Sequence, residues 1–108
     1  MKKKMIINTL ITIKDNDTNE KHYFHYGKKE VIRNGKTEIR RVTIGAIKRD
    51  GQLLFGRAEC SIKDIFTKKK ARIITLGRAN KSPLEKVEIN DSQIIGKIFV
   101  EVAKQLIN

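Results

Sequence analysis

Residues 43–58, TIGAIKRDGQLLFGRA, decide the fold. Asp50-Gly51 is among the dipeptides that best tolerate the positive φ of a two-residue type I′ turn, so the stretch predicts a β-hairpin. A two-residue loop pairs Arg49 with Gln52, and that pair sets the register of everything behind it. Ile47 then opposes Leu54, Gly45 opposes Gly56, and Thr43 and Ala58 continue the same face. Such a face is low and flat, the shape on which a helix can lie close to the backbone.

Toward the N-terminus, Asn34-Gly35 marks a second hairpin by the same turn chemistry. Residues 21–26 read as a strand, with Tyr23 and His25 on one face and His22, Phe24 and Tyr26 on the other. Residues 5–13 alternate Met5, Ile7, Ile11 and Ile13 with Ile6, Asn8, Leu10 and Thr12, and the polar cluster at 15–19 ends that strand. The expected fold class is α+β: an N-terminal antiparallel β-sheet of four to five strands followed by two C-terminal α-helices. At 108 residues the chain is one domain.

Toward the C-terminus, residues 62–79 read as a helix laid on the flat face. Ser61 with Asp64 three residues on gives a start signal of the capping-box type. Ile62, Ile65, Phe66, Ile73 and Leu76 fall on one stripe, with Lys69 inside it and Arg72 on its edge. Two cations are thereby aimed where water is scarce, and a bound phosphate resolves the conflict. Either that holds, or Lys69 snorkels past the core edge, or the helix begins near Thr67 and its phase is different. Ser82-Pro83 stops the helix, and residues 86–89 are a candidate edge strand. A second helix follows Asn90-Asp91-Ser92, with Ile95, Ile98, Phe99, Val102 and Leu106 as its core stripe. Val100, Ile107 and Ala103 widen that stripe, so either the first helix covers the excess or the last helix is shared between chains in a homo-oligomer.

The chain carries 24 Lys and Arg against 12 Asp and Glu, a net charge of +12 with a pI near 10.0. An anionic partner is expected: a nucleotide, a nucleic acid or a lipid head group. No apolar run is long enough to cross a bilayer, and no secretory signal is evident, so a cytoplasmic protein with no membrane partner is expected. Cys60 is the one cysteine, which excludes an internal disulfide and a cysteine-based zinc cage.

Catalytic constellations are thin. His22 and His25 point to opposite faces of a strand and cannot share a metal. Cys60 reads as a buried structural thiol, the alternative being a thiolate near a helix N-terminus. No P-loop, HExxH or Gly-x-Ser-x-Gly occurs, so neither an enzyme nor a cofactor is expected. Anion recognition is better supplied. Lys63, Lys68, Lys69, Lys70, Arg72 and Arg78 ring one helix, and Arg40, Arg41, Lys48, Arg49 and Arg57 decorate the adjoining hairpin. Arginine clamps phosphate bidentately and stacks on bases, which puts Arg72 and Arg78 first, with Lys69, Arg57 and Phe66 completing the candidate ligand-binding set. Phe66 either stacks on a base or simply packs in the core.

The pattern C-S-x-K-D-x-F-x-K-K-x-x-R-x-I-x-x-G-R-A, at residues 60–79, resembles small phage and prophage proteins. Together with the order of a sheet followed by two helices, it is similar to the type-one family of Thoeris anti-defence sponges. That resemblance implies a non-enzymatic oligomer, in the cytoplasm of an infected or lysogenic bacterial host, that sequesters cyclic ADP-ribose isomers or cyclic oligonucleotides. On it, Arg72 and Arg78 hold phosphates and Phe66 or Phe55 meets a base. Ala71 stands where the family pattern suggests a glycine. Two other readings fit the same charge: a nucleic-acid-binding protein with its basic hairpin and helix on the phosphate backbone, and an inhibitor that meets a host defence protein through its basic face.

Overall fold

The computed structural model describes residues 9–15, 20–61, 67–90 and 94–108. Among the described residues, five strands run β1 (Thr9–Asp15), β2 (Glu20–Arg33), β3 (Lys36–Arg49), β4 (Gln52–Ser61) and β5 (Glu85–Glu88), with helices α1 (Lys68–Lys81) and α2 (Ile95–Ile107). All neighbours are antiparallel and the spatial order is the chain order, β1-β2-β3-β4-β5. The fold is α+β, as the sequence predicts. The short edge strand sits between the helices in the chain, so α1 is not followed directly by α2.

Both tight turns form where their dipeptides place them. Asn34 and Gly35 have φ of 54° and 75°, and Asp50 and Gly51 have 52° and 74°. The register is the expected one: Arg49 pairs with Gln52, Ile47 with Leu54, Gly45 with Gly56 and Thr43 with Ala58. Strand β2 continues past Tyr26 to Arg33, and Tyr26 pairs with Thr43.

Partnered residues of an antiparallel ladder share a face, so the sheet separates two sets of side chains. One face presents Tyr23, Val42, Ile44, Ala46, Leu53 and Phe55, which bury Phe99 and Ala103 of α2. The Phe55 and Phe99 rings stack at 5.7 Å and 7°, with Tyr23 tilted against Phe99 at 5.4 Å. Ile95, Ile98, Val102 and Leu106 flank this cluster as the stripe requires, and Val100 and Ile107 pack there as well, beside Val87 and Ile89. The wide apolar surface of α2 is thus met by the sheet of the same chain, and α1, on the other face, plays no part in covering it.

The opposite face is the flat one, and α1 lies on it. Thr75 and Ala79 seat against Gly45 and Gly56: a Cβ at Gly45 would collide with the Thr75 side chain, and one at Gly56 with the α1 backbone at Thr75 and Ala79. The buried ridge of α1 is therefore Ala71, Thr75 and Ala79, with the Thr75 hydroxyl donating to the Arg72 carbonyl at 3.1 Å. This corrects the expected stripe. Ile73 is 62% exposed, Leu76 half-buried and Lys69 exposed. The cause is the start of the helix, which is the alternative one: Thr67, not Ser61, is the N-cap, and its Oγ1 accepts from the Lys70 N–H at 3.2 Å. Ser61 is the last residue of β4 and donates to Glu38 at 3.4 Å. Only small side chains fit between a helix and paired glycines, so the isoleucines turn outward. Ile62, Asp64, Ile65 and Phe66 of the expected helix, and residues 5–8 of the first expected strand, lie outside the described residues.

Candidate anion-binding site

Six cations and no acid make up the charged residues of α1: Lys68, Lys69, Lys70, Arg72, Arg78 and Lys81. Three of them occupy the first turn, beside the partial positive charge of the helix N-terminus, where each cation costs about 0.3–1 kcal/mol rather than stabilising. Among the described residues no ion pair involves a side chain of α1.

Three cations of the hairpin, Arg40, Arg49 and Arg57, are engaged within the chain. Arg49 donates to Glu20 at 2.7 Å and to Asn80 at 2.9 Å. Arg40 binds Glu59 and Glu38. Glu59 is the centre of this network, with Lys29 at 3.1 Å and Arg57 at 2.7 Å. Burial alone would push the Glu59 carboxyl up, but hydrogen bonds from Lys29, Arg57 and Arg40 bring it down to about 2. Among the described residues, the β2–β3 ribbon beyond Arg40 is two strands wide, since β4 pairs with β3 from Arg40 onward and the described part of β1 pairs with β2 no further than His25. Its residues 30–39 hold Glu30, Arg33, Lys36 and Glu38, two acids and two bases. The ribbon is long but not basic.

The two arginines placed first by sequence lie on different flanks of α1. Arg72 points toward β2, where its Nη1 donates to the Tyr26 hydroxyl at 3.1 Å and its guanidinium lies 5.8 Å from the Phe24 ring centre. Lys68, one turn earlier, holds its ammonium 4.7 Å from the centre of the Tyr26 ring. Arg78 points toward β4 and donates to the Arg57 carbonyl at 2.7 Å. There it borders an open cleft of about 550 Å³ formed by Gly56, Arg57, Arg78, Ser82, Pro83 and Leu84.

The remaining candidates separate. The Arg57 side chain turns to the α2 face and caps that helix, Nε donating to the Leu106 carbonyl at 2.9 Å and Nη2 to the Ile107 carbonyl at 3.0 Å. A cation on the last carbonyls of a helix is a structural strut. Lys69 is exposed on the outward side of α1. Phe66 lies outside the described residues. Phe55 is fully buried under Phe99, so it does not meet a base. Cys60, half-buried, lines a cavity of about 130 Å³ with Thr43, Ala58, Thr67, Lys70 and Ala71. His22 and His25 do point to opposite faces; burial lowers the His25 pKa, with Lys104 adding to the effect.

Tyr26 is the residue that sequence reading missed. Its signal was present in two separate readings: Tyr26 shares a face with Phe24, and the Thr43–Gly45 side of the hairpin receives the helix. Pairing β2 with β3 joins them, since Tyr26 opposes Thr43 and Phe24 opposes Gly45. The result is two cations and two aromatic rings on the flank of α1, with Tyr26 and Arg72 half-buried and Lys68 exposed. Comparison with protein-family models, with curated proteins and with solved structures finds no match. Among the described residues, no helix is long and apolar enough to cross a membrane.

Proposed function

We propose that this chain is a non-enzymatic binder that captures a phosphorylated nucleotide without turnover. The observation that carries the reading is the Lys68–Arg72–Tyr26 cluster at the cation-only end of α1. Phosphate oxygens would take the Arg72 fork and the Lys68 ammonium, the positive helix end adding to the attraction, and the Tyr26 ring gives a base a face to rest on. Arg72 is already oriented by the Tyr26 hydroxyl, so little side-chain freedom remains to be lost on binding. A ligand on this open flank is not surrounded by one copy, and the reading therefore includes a homo-oligomer that closes over it. In the most specific form, the one the sequence resemblance implies, the ligands are immune signalling nucleotides, cyclic ADP-ribose isomers or cyclic oligonucleotides, and the role is anti-defence sequestration in a bacterial host.

Nucleic-acid binding is the second reading, favoured by the exposed Lys68, Lys69 and Lys70 on a helix without acids. The charge-balanced ribbon narrows its footprint to α1 and the root of the hairpin. One experiment separates the two. The protein is heated with cyclic di- and trinucleotides, cyclic ADP-ribose isomers or short duplex DNA at two salt concentrations. Capture of a nucleotide predicts a rise in Tm with one small ligand at both salts, lost in Arg72→Ala, with the ligand recovered unchanged after denaturation. A response to DNA alone that fades with salt selects the second reading.

A further inference from the structure

The side of α1 facing away from the sheet is a ridge of residues four apart: Lys69, Ile73, Gly77 and Lys81. Ile73 is 62% exposed, and a Cβ at Gly77 would meet nothing within 4 Å. Glycine weakens a helix interior relative to alanine, and among the described residues none gives a packing reason for it. The contrast with Gly45 and Gly56 is direct, because those two are required by the close seat of α1 itself. A glycine beside an exposed isoleucine is what a second helix needs to approach closely, a knob and a gap on one ridge.

We propose that this ridge docks an acidic amphipathic helix of a partner protein. An apolar centre with a charged rim is the anatomy of a protein interface. Here Ile73 and Gly77 form the centre, while Lys69, Lys70 and Lys81 form a rim of one sign. The rim selects a partner whose apolar stripe is bordered by Asp and Glu. A second copy of α1 does not fit, since the contact would set two helices of six cations each against one another. A phosphate backbone takes donors at the centre of its footprint, and isoleucine and glycine side chains supply none. The ridge points away from the Tyr26 flank, so the inference stands apart from the nucleotide reading.

The test titrates the full-length protein with a synthetic helix bearing leucines on one face and glutamates around them, with its Lys-for-Glu counterpart, and with duplex DNA. Gly77→Leu fills the gap without changing charge, and Ile73→Ser removes the knob; Ile32→Ser, on the exposed tip of the ribbon, is the control. The expected result is that the acidic helix binds and the basic one does not. Gly77→Leu and Ile73→Ser each weaken binding about tenfold or more, Ile32→Ser leaves it unchanged, and the Tm of Gly77→Leu is not lowered. The proposal is overturned if the acidic helix fails to bind or binds Gly77→Leu and Ile73→Ser as tightly as the parent. It is likewise overturned if DNA binds more tightly and is the ligand that Gly77→Leu weakens, which would give the ridge to nucleic acid.

Discussion

Behind Tyr23 and Phe55 the sheet is packed with rings, whereas behind Gly45 and Gly56 it is packed with backbone. The α2 face gains its stability from buried area: Phe99, Phe55, Ile44, Leu53 and Val42 are all within 2% of full burial. The α1 face buries only Ala71, Thr75 and Ala79 from the helix, and so gains little area per residue. What it gains is proximity, which leaves the larger side chains of α1 outside and sets six cations on a helix held close to the sheet. One face makes the fold. The other presents charge.

The largest expected effect tests the first face. Phe99→Ala removes the ring on which Tyr23 and Phe55 converge and should cost about 3–5 kcal/mol, read from the urea midpoint. A cost below about 1 kcal/mol would mean that α2 is not the anchor of the core. Gly56→Val tests the second face through a steric fault and should cost about 1–3 kcal/mol. Hydrogen exchange discriminates the two: Gly56→Val should release the amides of α1 while the centre of β3 stays protected, and Phe99→Ala should weaken protection throughout the sheet. Equal loss everywhere in both variants would erase the distinction between the faces.

Legibility in the sequence followed the same division. The Asp50-Gly51 turn fixed a register that could be written out pair by pair, and the paired glycines gave the flat face and its helical occupant. What failed was the phase of α1. Residues 62–66 contain Ile62, Ile65 and Phe66, and an apolar period that includes them pulls Ile73 and Leu76 inward and Lys69 with them. The competing signal, Thr67 as N-cap, is a single hydroxyl, while the rule that seats small side chains on paired glycines acts only once the partner strand is known. For the site, the arginines were legible by type. Their partners were not, because Arg57–Leu106, Arg72–Tyr26 and Arg49–Glu20 join residues that only the completed sheet and helices bring together.

Acidity offers a gentler probe of the ionic network that joins the hairpin to α2. The folded value for Glu59 is about 2, below its ordinary 4.5. A lowered carboxyl value contributes stability that is present above about pH 4.5 and is lost as the pH falls toward 2. His25 acts earlier. Its folded pKa lies below the ordinary 6.5, so the neutral ring is favoured in the fold and stability is lost as the pH falls from 6.5 through the folded value. Urea midpoints across this range should therefore drop in two stages, and Glu59→Gln should remove the more acidic one. An unchanged acid limb in that variant would deny Glu59 its central place.

The smallest expected change in stability is also the most pointed comparison, because the same substitution is made at two arginines. Arg57→Ala strips the Leu106 and Ile107 carbonyls of their donor and leaves Glu59 one partner fewer, and about 1–2 kcal/mol should be lost. Arg72→Ala removes one hydrogen bond to a half-buried tyrosine hydroxyl that water can replace, so the cost should stay within about 0.5 kcal/mol. Ligand capture should respond in the reverse order, abolished by Arg72→Ala and retained in folded Arg57→Ala. The two arginines are alike in charge and both half-buried; what separates them is that one ends on helix carbonyls and the other on the hydroxyl of a half-buried tyrosine, at the flank proposed as the site. Should Arg72→Ala prove as destabilising as Arg57→Ala, then Arg72 is a strut as well, and the flank of α1 loses its claim to be a site.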